Sequence, residues 1–487
     1  MVRVRGALLA AGLLCLAAGQ NLPDSGDFEC PQSDGMFADP TNCRKFYSCV
    51  DSYPHSSLCP AGLHWHAIDK QCTYKNLAVC GPQEIEVTTT TPDPYAASAC
   101  DPARCSLTPV DPAEPGCFCS KDGTRIPGDI DPKETPQMVI LSLDGAVNGQ
   151  NYEHYLALFN DTVYKNPNEC PMRATFFVSH EYSNYQMVQD LYHKGHEIAV
   201  NSITSRQLQG QTYEEWVQEM VGMRSMLAKW ANVSEFDIFG MRAPRLKPGD
   251  NRQFDVLLEH GFAWDSSIPV PPLRVPIWPY TLDYKISHEC RSGGCPTSQY
   301  PGVWEIPLNS HYVQGYDGGH CPYLDQCVLF NYEPAEILTW FKEDFNRHYE
   351  SNRAPYQLSF HTNWFNEANL IEGLNLFLQW LNQKDDVWFV TMTQALYWMT
   401  DPIPINQLAQ LDQWDCRKRK DIPEPACNLP NTCRISFKPP KDGDPAWVPG
   451  TRYFTTCFSC PKQYPWLYDS DGDAGQPDIY ESVQFKK

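Results

Sequence analysis

Positive charge is scarce in this chain. Thirty-eight lysines and arginines stand against 59 aspartates and glutamates, a formal net charge of −21 over 487 residues. So acidic a balance excludes the electrostatic footprint of a nucleic-acid binder and disfavours anionic membrane surfaces. It leaves neutral substrates and polymers that carry amines. Long apolar runs are missing too, except at the start. There, MVRVRGALLAAGLLCLAAGQ places Arg3 and Arg5 before an apolar stretch over 7–16, with small residues at Ala17 and Gly19. That is the pattern of a cleaved signal peptide over 1–19. The run is too short to span a bilayer, and no second one follows. A secreted, extracellular product with no membrane partner is expected.

What the chain has in quantity is cysteine. Of 21 cysteines, Cys15 falls within the signal segment, which leaves twenty in the mature product. An even number in an oxidising compartment implies a disulfide framework. Asn160-Asp161-Thr162 and Asn232-Val233-Ser234 are glycosylation acceptors that suit the same compartment.

Six cysteines, Cys30, Cys43, Cys49, Cys59, Cys72 and Cys80, fall within residues 27–82. So short a segment buries too little apolar surface to fold without cross-links, and their pairing does not follow from spacing. Aromatic residues lie among them, and rings exposed on a small module suit the apolar face of a sugar. CRKFYSC followed by CPAGLHWHAIDKQC resembles the peritrophin-type (type 2) chitin-binding domain. The resemblance implies chitin binding, with Phe46, Tyr47 and Trp65 as candidate contacts. A Thr/Pro-rich stretch at 83–99 reads as an extended tether.

Residues 100–487 have ordinary globular composition after a lead-in with four cysteines in twenty residues. Nearby pairs such as Cys290 and Cys295, Cys321 and Cys327, or Cys457 and Cys460 are placed to staple loops. The pattern predicts strands at 137–143, 173–178, 197–200, 303–307, 357–361 and 387–390. Helices are predicted at 151–159, 185–194, 214–231, 254–260 and 370–382. Alternating strands and helices argue for an α/β parallel sheet or barrel. In such folds active sites gather at the C-terminal ends of strands.

At those ends the chain resembles the polysaccharide deacetylases, in particular the chitin deacetylases of arthropods. The segments are VILSLDGAVN, HEIAVNSITSR, MRAPRL, WDSSI and LSFHTNWF. The resemblance implies a distorted (β/α) barrel, with the disulfide-rich lead-in and a C-terminal extension inside the same domain. It implies Asp144 as catalytic base, His361 as acid, Arg242 as orienter of the base, and Asp265 as support for the groove or the histidine. Leu358 would line an acetyl pocket. In the family a second aspartate and two histidines four residues apart hold a divalent metal. Here those positions are Gly145, Asn201 and Ser205. No metal or other cofactor is therefore expected, and His361 and Asp144 are expected to be non-functional. Trp264, Trp304 and Trp364 lie near the motifs and could flank a sugar chain. The expected partners are chitin or partially deacetylated chitin, and other matrix proteins. The competing expectation is an active metal-dependent chitin deacetylase with an unconventional site, for which His180, His193 and His196 are the replacement ligands to examine.

Overall fold

The computed structural model describes residues 28, 30–33, 35–39, 42–50, 52–59, 63–67, 70–74, 120, 122–286, 288–313, 319–329, 331–419, 422–437 and 449–473. The signal segment, the tether, Cys80 and the four lead-in cysteines lie outside them. Two compact units divide at Thr91 and Pro92. Among the described residues, no helix is long and apolar enough to cross a membrane.

The first unit is a disulfide-bonded β module. Strands β1 (Gly35–Ala38), β2 (Lys45–Val50) and β3 (Tyr53–Leu58) form an antiparallel sheet, and β4 (Leu63–His66) pairs with β5 (Gln71–Tyr74). Cys30–Cys49 and Cys59–Cys72 cross-link it. Two of the proposed sugar contacts require correction. Tyr47 is 5% and Trp65 3% exposed. Tyr47 stacks on Phe28 and bonds Asp39 and Lys45 through its hydroxyl, while Trp65 stacks on Phe46. With so little chain to build a core, the module spends these rings on packing. Alternation along β2 turns Lys45, Tyr47 and Cys49 inward, and Phe46 is half-buried under Trp65. The exposed side carries Val50 and, at 72% exposure, Tyr53, its partner in the ladder.

The second unit is built around a curled half-barrel sheet. In chain order it contains β6 (Gln137–Gly145), α1 (Tyr152–Leu158), β7 (Thr175–Ser179), α2 (Tyr185–His193) and β8 (Glu197–Ser202). A helical run follows, α3 (Tyr213–Trp216) and α4 (Gly222–Ala231), joined by a π-turn at Val217–Val221. Next come β9 (Gly240–Met241), α5 (Asp250–Glu259), β10 (Trp264–Asp265), β11 (Pro269–Val270), β12 (Tyr280–Thr281) and β13 (Trp304–Glu305). The chain continues through β14 (Leu308–Asn309), β15 (His311–Tyr312), β16 (His320–Cys321), α6 (Pro334–Tyr349), β17 (Tyr356–His361), α7 (Ala368–Leu381), β18 (Val387–Phe389) and α8 (Met392–Thr400). A final hairpin pairs β19 (Asn431–Phe437) with β20 (Gly450–Thr456).

The sheet order is β12-β13-β10-β9-β8-β7-β6-β17, parallel except for β12 against β13. β18 pairs with the start of β6. Period-two alternation explains the site. Val139, Leu141 and Leu143 face the helices, while Met138 and Ile140 face an inner cluster with Phe177, Ala199, Trp264, Trp304 and α8. Continuing the inner column of β6 past Ile140 gives Ser142 and then Asp144, so the inner face turns polar at the C-terminal mouth.

Two disulfide expectations hold and one does not. Cys290–Cys295 and Cys321–Cys327 staple loops. Cys457 and Cys460 bond instead to Cys427 and Cys433, across the final hairpin. There Cys433 stands opposite Phe454, which brings the far strand's following cysteines within reach. Trp264, Trp304 and Trp364 are each no more than 1% exposed. They are core residues, which corrects the expectation that they flank a groove.

Candidate functional site

β6 and β17 run side by side in register, and their last residues set Asp144 opposite His361. From β9, Arg242 reaches inward along the same mouth. Its Nη1 donates to Asp144 Oδ1 at 2.6 Å and to Ser142 Oγ at 3.1 Å. Its Nε donates to Ser266 O and its Nη2 to Ser266 Oγ, at 2.8 and 2.9 Å. The guanidinium lies 3.9 Å from the centre of the Phe177 ring. A wholly buried charge is held in this way only because its donors have partners.

Two more side chains enter from the loop closed by Cys321–Cys327, and neither had a recognisable sequence motif. The Tyr323 hydroxyl donates to Asp144 Oδ2 at 2.6 Å, so both carboxylate oxygens of Asp144 accept hydrogen bonds. Burial and the neighbouring Asp144 push the Tyr323 phenol well above its ordinary range, and it remains a donor. Its ring centre is 4.2 Å from that of His361. Asp325 grips His361: both carboxylate oxygens lie 3.1 Å from Nδ1, and Oδ1 accepts the His361 backbone N–H at 3.0 Å. Burial opposes the charging of His361, but the bond to Asp325 and the charges of Asp144 and Asp325 outweigh it, and its pKa is raised. Asp325 is held below the usual carboxylate range; burial works the other way and is overcome by His361. The His361 side chain is 38% exposed, so the mouth is not sealed. The spacing of Cys321 and Cys327 marked the loop as stapled, and this was the one signal that could have drawn attention to Tyr323 and Asp325.

Asp265 does not support His361. It lies next to Trp264, which faces the inner cluster, and so turns outward to α5. Gln253 Nε2 and Ser267 Oγ donate to its Oδ1 at 2.6 and 2.7 Å, and Ser267 N to its Oδ2 at 2.9 Å. Its ladder partner is Glu305, so two wholly buried carboxyls stand side by side. Burial raises both pKa values, and Asp265 drives Glu305 further up. Raised carboxyl pKa values stabilise the fold at low pH, and that stability is lost as pH rises through the folded values. Wild-type stability should therefore fall by about 1–3 kcal/mol relative to Glu305→Gln between pH 5 and 8. Urea midpoints of both proteins at each pH measure this, and parallel profiles would mean that the pair holds no extra proton.

Leu358 also departs from expectation. It pairs with Leu141 and joins the helix-facing cluster, on the opposite face of β17 from His361. It lines no pocket beside His361, because residues three apart in a strand point to opposite sides.

The three positions that the resemblance gives as metal positions, Gly145, Asn201 and Ser205, offer little to an ion. Gly145 brings no side chain, and an added Cβ would meet nothing within 4 Å. Asn201 faces inward and donates Nδ2 to Arg242 O at 3.3 Å, which leaves one neutral amide oxygen. Ser205 is exposed, with φ +54°. One amide oxygen and one exposed hydroxyl do not fit a divalent ion that favours imidazole and carboxylate. The loop 203–206 has a brace of its own. Glu219, buried in the π-turn, accepts Ile203 N, Thr204 N and Thr204 Oγ1 at 3.1, 2.9 and 2.5 Å, and pairs with Arg206 at 3.3 Å.

The three replacement candidates do not converge. His180 Nδ1 lies 2.6 Å from the Tyr185 hydroxyl, and burial lowers its pKa to about 3. His193 Nδ1 lies 2.7 Å from Pro423 O. His196 precedes β8, at the end of the sheet away from Asp144, and its Nδ1 accepts Ala174 N at 3.2 Å. Among the described residues, the one group of three His, Cys, Asp or Glu donors close enough to share an ion is Cys170, Asp415 and Cys416, and its two cysteines are disulfide-bonded.

Comparison with known proteins agrees with this architecture. A family model described as chitin binding Peritrophin-A domain matches residues 30–80, and one described as polysaccharide deacetylase matches residues 133–263. Chitin deacetylase 1 of Bombyx mori is 38% identical over 399 residues, spanning 78% of this chain and 70% of that protein. Chitin deacetylase 8 of the same species is 33% identical over 383 residues, spanning 76% of this chain and 92% of that protein. Peritrophin-1 of Anopheles gambiae is 35% identical over 100 residues, which span 19% of this chain and 62% of that protein.

Proposed function

Because this chain belongs to the insect-type chitin deacetylases and carries a peritrophin-A module ahead of its deacetylase domain, we propose that it is a secreted chitin-binding protein of an extracellular chitinous matrix whose deacetylase-like domain does not hydrolyse its ligand. The observation that carries the reading is the weak donor set at Gly145, Asn201 and Ser205, one neutral amide oxygen and one exposed hydroxyl, where the resemblance implies a metal. Without a bound metal to lower its pKa, water near Asp144 remains a poor nucleophile at neutral pH. The engagement of Asp144 by Tyr323 adds support: its hydroxyl donates to Asp144 and its ring packs against His361, the residues that the resemblance gives as base and acid.

The module supplies the grip, and its exposed face with Tyr53 is the surface offered to polymer. The acidic balance of the chain favours chitin that has lost some acetyl groups and carries amines. Secretion fits the two acceptor sites. Asn160 is exposed and accepts Thr162 N and Oγ1 at 2.9 and 2.7 Å, and Asn232 ends α4 in the left-handed conformation.

The test is the metal content of the purified secreted protein, together with acetate release from chitin oligomers and retention on insoluble chitin. Retention with neither stoichiometric metal nor acetate is expected. Stoichiometric zinc with metal-dependent acetate release would replace this reading with that of an active deacetylase.

A further inference from the structure

A basic stretch after α8 is used by neither the core nor the site. In a chain with so little positive charge, CRKRKD at 416–421 holds four lysines and arginines in succession, which occurs nowhere else in it. The Arg417 and Lys418 side chains are 70% and 44% exposed. They sit on a single 3-10 turn, Cys416–Lys418, and residues 422–427 beyond it lie in no helix, strand or turn. The described cations are engaged separately and do not converge on an anion. Arg417 pairs with Asp415 at 2.7 Å and Lys418 with Asp412 at 2.6 Å, surface pairs that open at little cost. Arg419 donates to the carbonyls of Tyr192 and His193 at 3.2 and 3.0 Å, at the end of α2, where a helix favours a cation. Arg417 and Lys418 are thus an exposed, weakly held basic pair on an irregular segment, the setting in which proteolytic nicking concentrates.

The disulfides give a cut there a consequence. Cys416, just before the pair, is bonded to Cys170 in the body of the domain. Beyond the pair the chain has four cysteines, and they bond among themselves, Cys427 to Cys457 and Cys433 to Cys460. No disulfide therefore joins the two sides. The final hairpin and the residues after it rest against α2 and the loop 180–184 that precedes it. The Tyr464 ring centre is 4.7 Å from that of His180, and Phe454 is 5.7 Å from Tyr185. Arg452 pairs with Glu181 at 3.0 Å, and Thr455 N donates to Asn184 Oδ1 at 3.1 Å. Asn184 N in turn donates to Val147 O at 2.7 Å, three residues past Asp144. We propose that Arg417-Lys418 is a limited-proteolysis site for a trypsin-like serine endoprotease, the class whose acidic specificity pocket takes a basic side chain. Water adds across the Lys418–Arg419 amide: the C–N bond breaks, Lys418 gains a carboxylate and Arg419 an ammonium. The product is a two-chain molecule. Its C-terminal chain, closed by two disulfides of its own, becomes a detachable brace on the loop 180–184.

Brief digestion of the purified full chain with trypsin tests it. The first cut should fall at Lys418–Arg419, read by intact mass. The two pieces should elute together in gel filtration and separate in denaturing buffer without reductant. Arg417→Gln with Lys418→Gln changes exposed side chains alone, so the fold is retained, and cutting at that bond should slow at least tenfold. Amide hydrogen exchange over 180–184 should quicken after the cut in the wild type and stay unchanged in the treated double variant. First cuts elsewhere with this bond intact would overturn the proposal, as would pieces that separate only on reduction. Unchanged exchange after the cut would overturn the bracing role. Resistance to trypsin, with retention on a sulfated-polysaccharide column that the double variant loses, would make the stretch an anion site instead.

Discussion

A variant carrying Gly145→Asp, Asn201→His and Ser205→His is expected to take up one zinc ion per chain where the wild type takes up none. The three substitutions return a carboxylate and two imidazoles, the donors zinc favours. Space allows the first, since a Cβ at Gly145 meets no neighbour within 4 Å. The backbone resists it: φ there is +116°, and a side chain in that conformation costs roughly 1–3 kcal/mol, which metal binding must offset. Ser205 already carries a side chain at φ +54°, so histidine adds no new backbone demand. Zinc alone should give little turnover while Tyr323 occupies Asp144. Adding Tyr323→Val should free that carboxylate and raise acetate release on the order of 100-fold or more over the zinc-loaded triple variant, the scale of restored general acid–base catalysis. Zinc content by mass spectrometry and acetate release from chitin oligomers are the readouts. A folded quadruple variant that binds no zinc would refute the assignment of these three positions.

The second large effect concerns stability. Arg242→Met should destabilise the protein by about 3–5 kcal/mol, because it strands the buried Asp144 carboxylate without its cation. Arg242 is wholly buried and its pair with Asp144 is among the least exposed in the molecule. Adding Asp144→Asn should recover part of the loss, since the remaining group is then neutral. Urea unfolding of the single and double variants measures the coupling. A loss below about 1 kcal/mol for Arg242→Met would mean that water reaches Asp144 and replaces the arginine.

The Asp144–Arg242 pair cannot be dismantled one member at a time without leaving a buried charge, whereas Gly145, Asn201 and Ser205 carry no charge to strand.

Local pattern determined much of this protein. The short apolar run at 137–143 announced β6, and its continuation brought Asp144 to the inner mouth. Helical spacing over 214–231 announced the long run through α3 and α4, although no period could show the π-turn that delivers Glu219 to the loop 203–206. The segments around Asp144, Arg242 and His361 named residues that the fold does bring together, because each lies at the end of its own strand in a parallel sheet. Cysteine count and spacing identified a disulfide module, but not that its aromatic rings go to core packing. Only the tertiary structure decided which carboxylate holds His361. Asp265 follows a recognised motif and turns away to α5, while Asp325 follows none and arrives on a stapled loop. Strand alternation likewise sent Leu358 to the helix side. Sequence determines what a residue is and the local period it follows. Which groups meet across separate strands and loops depends on register and loop path, and these are fixed only when the whole sheet is assembled.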